Sequence, residues 1–138
     1  MRRLTAFISI LILSLSAQAG PTPAPQGAKV FIISPSNGAI VNSPVTVQFG
    51  LEGFGVAPAG VEKANTGHHH LIIDGELPDM DLPIPADEHH KHFGGGQTQV
   101  TIELAPGQHS LQLLMGDHTN IPHSPPIVSK KITITVSE

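Results

Sequence analysis

Apolar and polar residues alternate with a period of two through most of this chain, and no stretch sustains the 3.6-residue period of an amphipathic helix. The clearest case is Pro44–Phe49. Val45, Val47 and Phe49 fall on one face and Thr46 and Gln48 on the other, which predicts a half-buried strand with Pro44 tolerated at its start. Lys29–Ile33 predicts an earlier strand, and Thr98–Leu104 a later one with Val100, Ile102 and Leu104 inward. Gln108–Met115 puts His109, Leu111, Leu113 and Met115 on one face, and the Pro106-Gly107 turn before it predicts a hairpin with Thr98–Leu104. Ile127–Val136 closes the pattern, with Ile132, Ile134 and Val136 inward against Lys131, Thr133 and Thr135. Six to seven short strands separated by turn residues predict an all-β fold, an immunoglobulin-like antiparallel β-sandwich, with a small barrel as the alternative.

One strand stands out by its chemistry. Thr66-Gly67-His68-His69-His70-Leu71-Ile72-Ile73-Asp74-Gly75 is a short apolar and histidine run with glycine near both ends. Alternation sends His68, His70 and Ile72 to one face and His69, Leu71 and Ile73 to the other. Two imidazoles at i and i+2 then lie about 6 to 7 Å apart at their Cα atoms, close enough to share one ion.

The connections are uneven in length. Ser34–Gly38 is a turn in which Asn37-Gly38 supplies positive-φ positions. Residues 50–65 show no firm period. Glu76–Phe93 is a long loop, because Pro78, Pro83 and Pro85 forbid a helix or a central strand, and it ends at Gly94-Gly95-Gly96. Gly116–Pro126 is a second Pro-rich loop. Gly20–Ala28 is a Pro-rich leader, expected to be extended and mobile.

Composition narrows the function classes. Arg2 and Arg3, the apolar run Leu4–Leu15 and Ala17-Gln18-Ala19 read as a secretory signal peptide over residues 1–19, with the leader at 20–28 and one β-sandwich domain at 29–138. The apolar run is too short for a stable membrane span, so the mature form is expected to carry none and to be periplasmic or secreted. The chain has formal net charge −4 at pH 7 and becomes more acidic once Arg2 and Arg3 are removed. With no basic cluster and no Trp or Tyr, nucleic acid is excluded as a partner. The absence of cysteine removes disulfides, thiolate ligands and thiol chemistry together.

Nine histidines remain, grouped as His68-His69-His70, His89-His90-x-His92, His109, and His118 with His123. Imidazole suits zinc, copper, iron and nickel, and a set of three or four without thiolates points to copper or zinc. The candidate ligands are His68, His70, His92 and His123, with His118 next. Asp74, Asp87, Glu88 and Asp117 are candidates for orienting the imidazoles. The plainer readings stand beside these: His89, His90 and Lys91 as solvated loop residues, His109 as a hydrogen-bonded strand residue, Asp74-Gly75 as a turn. No Gly-x-Ser-x-Gly elbow or assignable carboxylate pair supports hydrolytic chemistry.

Four segments carry a resemblance: Gly67–Asp74 (GHHHLIID), His92–Thr98 (HFGGGQT), Pro106–Leu113 (PGQHSLQL), and Gly116-Asp117-His118 through Pro122–Pro126 (PHSPP). Together they resemble an uncharacterised family of small exported bacterial domains across about Val30–Val136. The resemblance implies that His68, His69, His70, His92, His109, His118 and His123 belong to the family pattern and that His89 and His90 are local to this protein. Ser34-Pro35-x-x-Gly38 and Ser43-Pro44-Val45 also resemble the start of bacterial immunoglobulin-like domains, including periplasmic copper carriers, although the carriers' Met-rich segment is missing here. The leading expectation is a non-catalytic metal-binding domain that sequesters or delivers copper or zinc, with an envelope metal-handling protein as partner. The alternatives are a structural or interaction domain of the envelope, and a small metalloenzyme using the same histidines.

Overall fold

A computed structural model describes residues 21–138, and the signal peptide predicted at 1–19 lies outside them. In chain order the strands are β1 (Lys29–Ser34), β2 (Ile40–Val41), β3 (Val45–Glu52), β4 (Gly55–Val56), β5 (Thr66–Ile73), β6 (His90–His92), β7 (Gln99–Ile102), β8 (Gly107–Gly116) and β9 (Ile132–Val136). No helix forms among the described residues, so none there is long and apolar enough to cross a membrane.

The strands make two sheets, as a sandwich requires. The small sheet has the order β1-β3-β7, and the large one β2-β9-β8-β5-β4 with β6 also on β5. Both β4 and β6 lie along the same side of β5, at different heights: β4 pairs with Thr66 and Gly67, and β6 with His70, Leu71 and Ile72. Most pairings are antiparallel as expected, but the two-residue strands β2 and β4 pair in parallel with β9 and β5.

Inward residues behave as the alternation predicts. Val45, Val47 and Phe49 of β3 meet Leu71 and Ile73 of β5, Leu111, Leu113 and Met115 of β8, and Ile134 and Val136 of β9 in one core. Burial of each such side chain stabilises the fold by about 1.5–3 kcal/mol before entropy is set against it. A smaller cluster of Ile72, Leu114 and Ile84, with Met80 against it, lies on the other face of the large sheet. The loop after β5 therefore folds back across the outer face. With both faces covered and neighbours on both sides, β5 is buried from Gly67 through Ile73, which is why its sequence reads as a nearly continuous apolar run.

Three connections differ from expectation. The predicted hairpin across Pro106-Gly107 does not form. β7 pairs with β3 in the small sheet, whereas β8 is held between β5 and β9 in the large one, so neither edge of β8 is free for β7. The turn instead carries the chain from one sheet to the other, with Gly107 at φ 124°. The long loop does not run unbroken to Phe93, because its last residues join the sheet as β6. The leader is extended but docked: Pro23 bridges Ser124, Ala24 N donates to Ser124 O at 3.0 Å, and Ser124 N donates to Thr22 O at 2.9 Å.

Candidate metal centre

The site begins with strand geometry. Leu71 and Ile73 enter the inter-sheet core and Ile72 the outer cluster, so His68 and His70 project on the outer face with Ile72. His92 of β6 stands opposite His70 in the antiparallel register, and directly opposed residues project on the same face. Three imidazoles from two strands thus converge. Their ring centroids form a nearly equilateral triangle, at 4.8 Å (His68–His70), 4.9 Å (His68–His92) and 4.9 Å (His70–His92).

Glycines make room for the rings. Gly116 of β8 is paired with His68, and a Cβ there would lie 2.7 Å from Cε1 of His70 and 3.4 Å from Nε2 of His68. A Cβ on Gly94 would lie 2.6 Å from Cε1 of His92. Only a residue without a side chain permits such close approach.

The spacing suits a metal ion. Nε2 of His68 lies 3.0 Å from Nε2 of His92, and one ring nitrogen from each of the three residues lies within 4.8 Å of the others. Zinc–imidazole bonds of about 2.0–2.1 Å allow two nitrogens on one ion to be separated by up to about 4.2 Å. His92 is the exposed corner of the three.

Electrostatics favour the ligating form. Burial pushes the His70 imidazole down to about 3, helped by His68 and His92 beside it. Burial also lowers His68, against the opposing hydrogen bond from Asn120. Neutral imidazole is the form with a lone pair for a metal, so the buried corners need lose no proton at neutral pH in order to bind. Nδ1 of His70 is buried without a partner. Buried polar atoms are nearly always partnered, so orphans call for an explanation, and an ion the protein does not itself supply is one.

Asn120 is the residue that sequence reasoning missed. Its Oδ1 lies 2.8 Å from Nε2 of His68. It belongs to the loop after β8, where Asp117 acts as the organiser. Asp117 Oδ1 accepts from Thr119 N, Thr119 Oγ1 and Ile121 N, and Oδ2 accepts from Thr22 of the leader at 2.6 Å. The run Asp117-His118-Thr119-Asn120, with short polar residues able to bond their own backbone, was the available signal.

The other histidines are placed elsewhere. His123 is buried with Nε2 3.2 Å from Thr66 O and its ring edge-on to Phe54. Nε2 of His118 lies 4.0 Å from Glu62. Neither belongs to the three-histidine triangle, which among the described residues contains His68, His70 and His92. His69 points into the inter-sheet core against Phe49, with centroids 5.0 Å apart. His109 bonds Asp74 at 2.6 Å and Ala105 O at 2.7 Å, as a hydrogen-bonded strand residue would. His89 bonds Ile73 O, and His90 bonds Asp87. Asp74 and Asp87 therefore orient His109 and His90, not the clustered rings.

Fold and site together define a small all-β sandwich with a histidine cluster on the outer face of its larger sheet, able to hold a metal ion. The chain belongs to the family described as a domain of unknown function (DUF4399), whose model matches residues 47–137. That span takes in all three clustered histidines and Asn120. No curated protein and no solved structure matches the chain.

Proposed function

We propose that this domain binds copper or zinc through His68, His70 and His92 and, in the periplasm or outside the cell, sequesters the ion or delivers it to an envelope metal-handling protein. The observation that carries this reading is the convergence of three ring nitrogens within 4.8 Å of one another from two strands. An all-imidazole set favours copper or zinc over calcium or magnesium, which take oxygen ligands. The exported location rests on the signal peptide read at residues 1–19. His118 and His123 stay in the proposal as residues to be tested, since each holds a different contact in this structure.

The test uses untagged protein. Elemental analysis after purification, followed by titration with Cu(II) and Zn(II), should give one equivalent of ion per chain. His92→Ala, which alters the exposed corner, should weaken binding at least about tenfold while the domain stays folded. Single alanine variants of His118 and His123 decide whether those residues contribute. A wild-type protein that takes up neither ion, or a His92→Ala variant that binds as tightly as wild type, overturns the reading.

A second reading draws on the number of ligands. Three protein ligands leave a coordination position for water, as catalytic zinc sites do. Against this, the cluster itself contains no carboxylate to act as a base. Titration of a metal-bound water near neutral pH, together with turnover of a hydrolysable substrate, would favour the enzyme.

A further inference from the structure

The side chain of Asn120 meets the histidine triangle where one ring nitrogen has two neighbours. Nε2 of His68 lies 2.8 Å from Oδ1 of Asn120 and 3.0 Å from Nε2 of His92. A single N–H is directed along one line, so it serves one of these neighbours well and not both. Resting on the metal-binding reading above, we infer that Asn120 is the fourth ligand of that site, supplying its amide oxygen to an ion held by His68, His70 and His92.

Three observations carry the inference. First, ligand atoms on one tetrahedral ion with bonds of about 2.0–2.2 Å stand about 3.3–3.6 Å apart, and Oδ1, at 2.8 Å from Nε2 of His68, is within about an ångström of that spacing. Second, the Asn120 backbone is held from both sides. Its N–H donates to Asp117 O at 2.9 Å, and its carbonyl accepts from Ile84 N at 2.8 Å. Third, Asn120 adopts φ 65°, a left-handed conformation that asparagine takes up more readily than other side-chain-bearing residues, so the residue type suits the shape of the loop at this point. The loop thus holds a defined backbone that places an oxygen donor beside His68.

In the metal-free domain Nε2–H of His68 donates to Oδ1. When the ion arrives, His68 takes its other neutral tautomer, with the proton on Nδ1, and the freed Nε2 lone pair and the amide oxygen both turn to the metal. An amide oxygen is a weaker donor than imidazole, so the fourth position is the weakest bond of the set and the first to exchange for a ligand from another protein.

The test substitutes position 120 without disturbing the loop. Asn120→Gly removes the amide and keeps the left-handed backbone, and Asn120→Asp keeps an oxygen in the same place. Zn(II) affinity is measured by competition with a chromophoric chelator, and coordination by the visible absorption of the Co(II)-loaded protein. Asn120→Gly should bind Zn(II) about tenfold or more weakly and change the Co(II) spectrum, while Asn120→Asp should bind at least as tightly as wild type. Wild-type affinity and an unchanged spectrum in Asn120→Gly overturn the inference and leave the three-histidine site standing. Equal weakening in both variants with an unchanged spectrum also overturns it, because Asn120 would then act only through the loop. A wild-type domain that binds neither Zn(II) nor Co(II) removes the site reading and this inference with it.

Discussion

His70 and His92 stand opposite each other across the β5–β6 ladder, their rings stacked with centroids 4.9 Å apart and planes 22° from parallel. One of the pair is buried at 1% exposure and the other lies at the surface. Two imidazoles stacked in this way repel each other if both carry a proton. The pair is therefore stable when neutral, or when a cation sits between the ring nitrogens.

Metal binding and stability should be linked. An ion that binds the folded domain alone, at a free concentration about 100 times its Kd, adds about 2.7 kcal/mol to the unfolding free energy. For a domain of this size that raises Tm by several degrees per kcal/mol. In His92→Ala the metal-free Tm should hold to within the effect of a surface change, about 0.5 kcal/mol, and the metal-induced rise should be lost. Thermal melts with and without Zn(II) check both halves.

Gly116→Ala should weaken binding without replacing a ligand. The new methyl would sit 2.7 Å from Cε1 of His70, and the rings of His68 and His70 are both buried. Overpacking of this kind costs about 1–3 kcal/mol. The expected result is a lower urea midpoint together with Zn(II) affinity reduced by at least about tenfold.

The metal-free domain should be acid-labile. Burial holds His70 down to about 3 and His69 down to about 4, both below the ordinary value of 6.5. Each group takes up a proton more readily in the unfolded chain, so stability rises with pH between the folded and unfolded values. This contribution is complete above about 6.5 and is lost as pH falls from there toward 3 to 4, with a slope of up to about 1.4 kcal/mol per pH unit for each group. His109 works in the opposite sense. Its bond to Asp74 raises it, so its contribution is present below 6.5 and is lost as pH rises through its folded value. That pair is exposed and solvent screens it, so the buried histidines dominate. Urea midpoints measured at about pH 7 and about pH 5 should fall in the acidic sample.

His69 should be dispensable for stability. Both of its ring nitrogens are buried without partners in the core against Phe49. Leucine there would replace two unsatisfied polar atoms by apolar surface, and His69→Leu should be more stable by about 1–3 kcal/mol. Metal affinity should be retained, because His69 faces away from His68 and His70. A denaturant melt and a Zn(II) titration of the same variant decide the point.

The β-sandwich and the buried histidine strand were legible because the period of two is local. Val45-Thr46-Val47-Gln48-Phe49 and Ile132–Val136 carry their inward faces in their own order, and the His68–His70 pairing follows from alternation alone. What could not be read depended on partners distant in the chain. Pro106-Gly107 announces a turn but does not say whether the chain returns to the same sheet, and the answer lies in β5 and β9 having occupied β8. His90–His92 has no apolar alternation, so its place beside β5 was invisible although His92 itself was a candidate. Asn120 reaches His68 across 52 positions through a loop whose shape comes from Asp117 and Thr22.

The triangle is lopsided, with two corners sunk in the sheet and the third on a three-residue strand at its rim. An incoming cation would meet the rim first and settle inward, and a departing one would let go in the reverse order. How quickly such a centre fills and empties would then be governed by the one corner that faces solvent. How firmly it grips would be governed by the two buried ones, so evolution could adjust speed and tenacity one residue at a time.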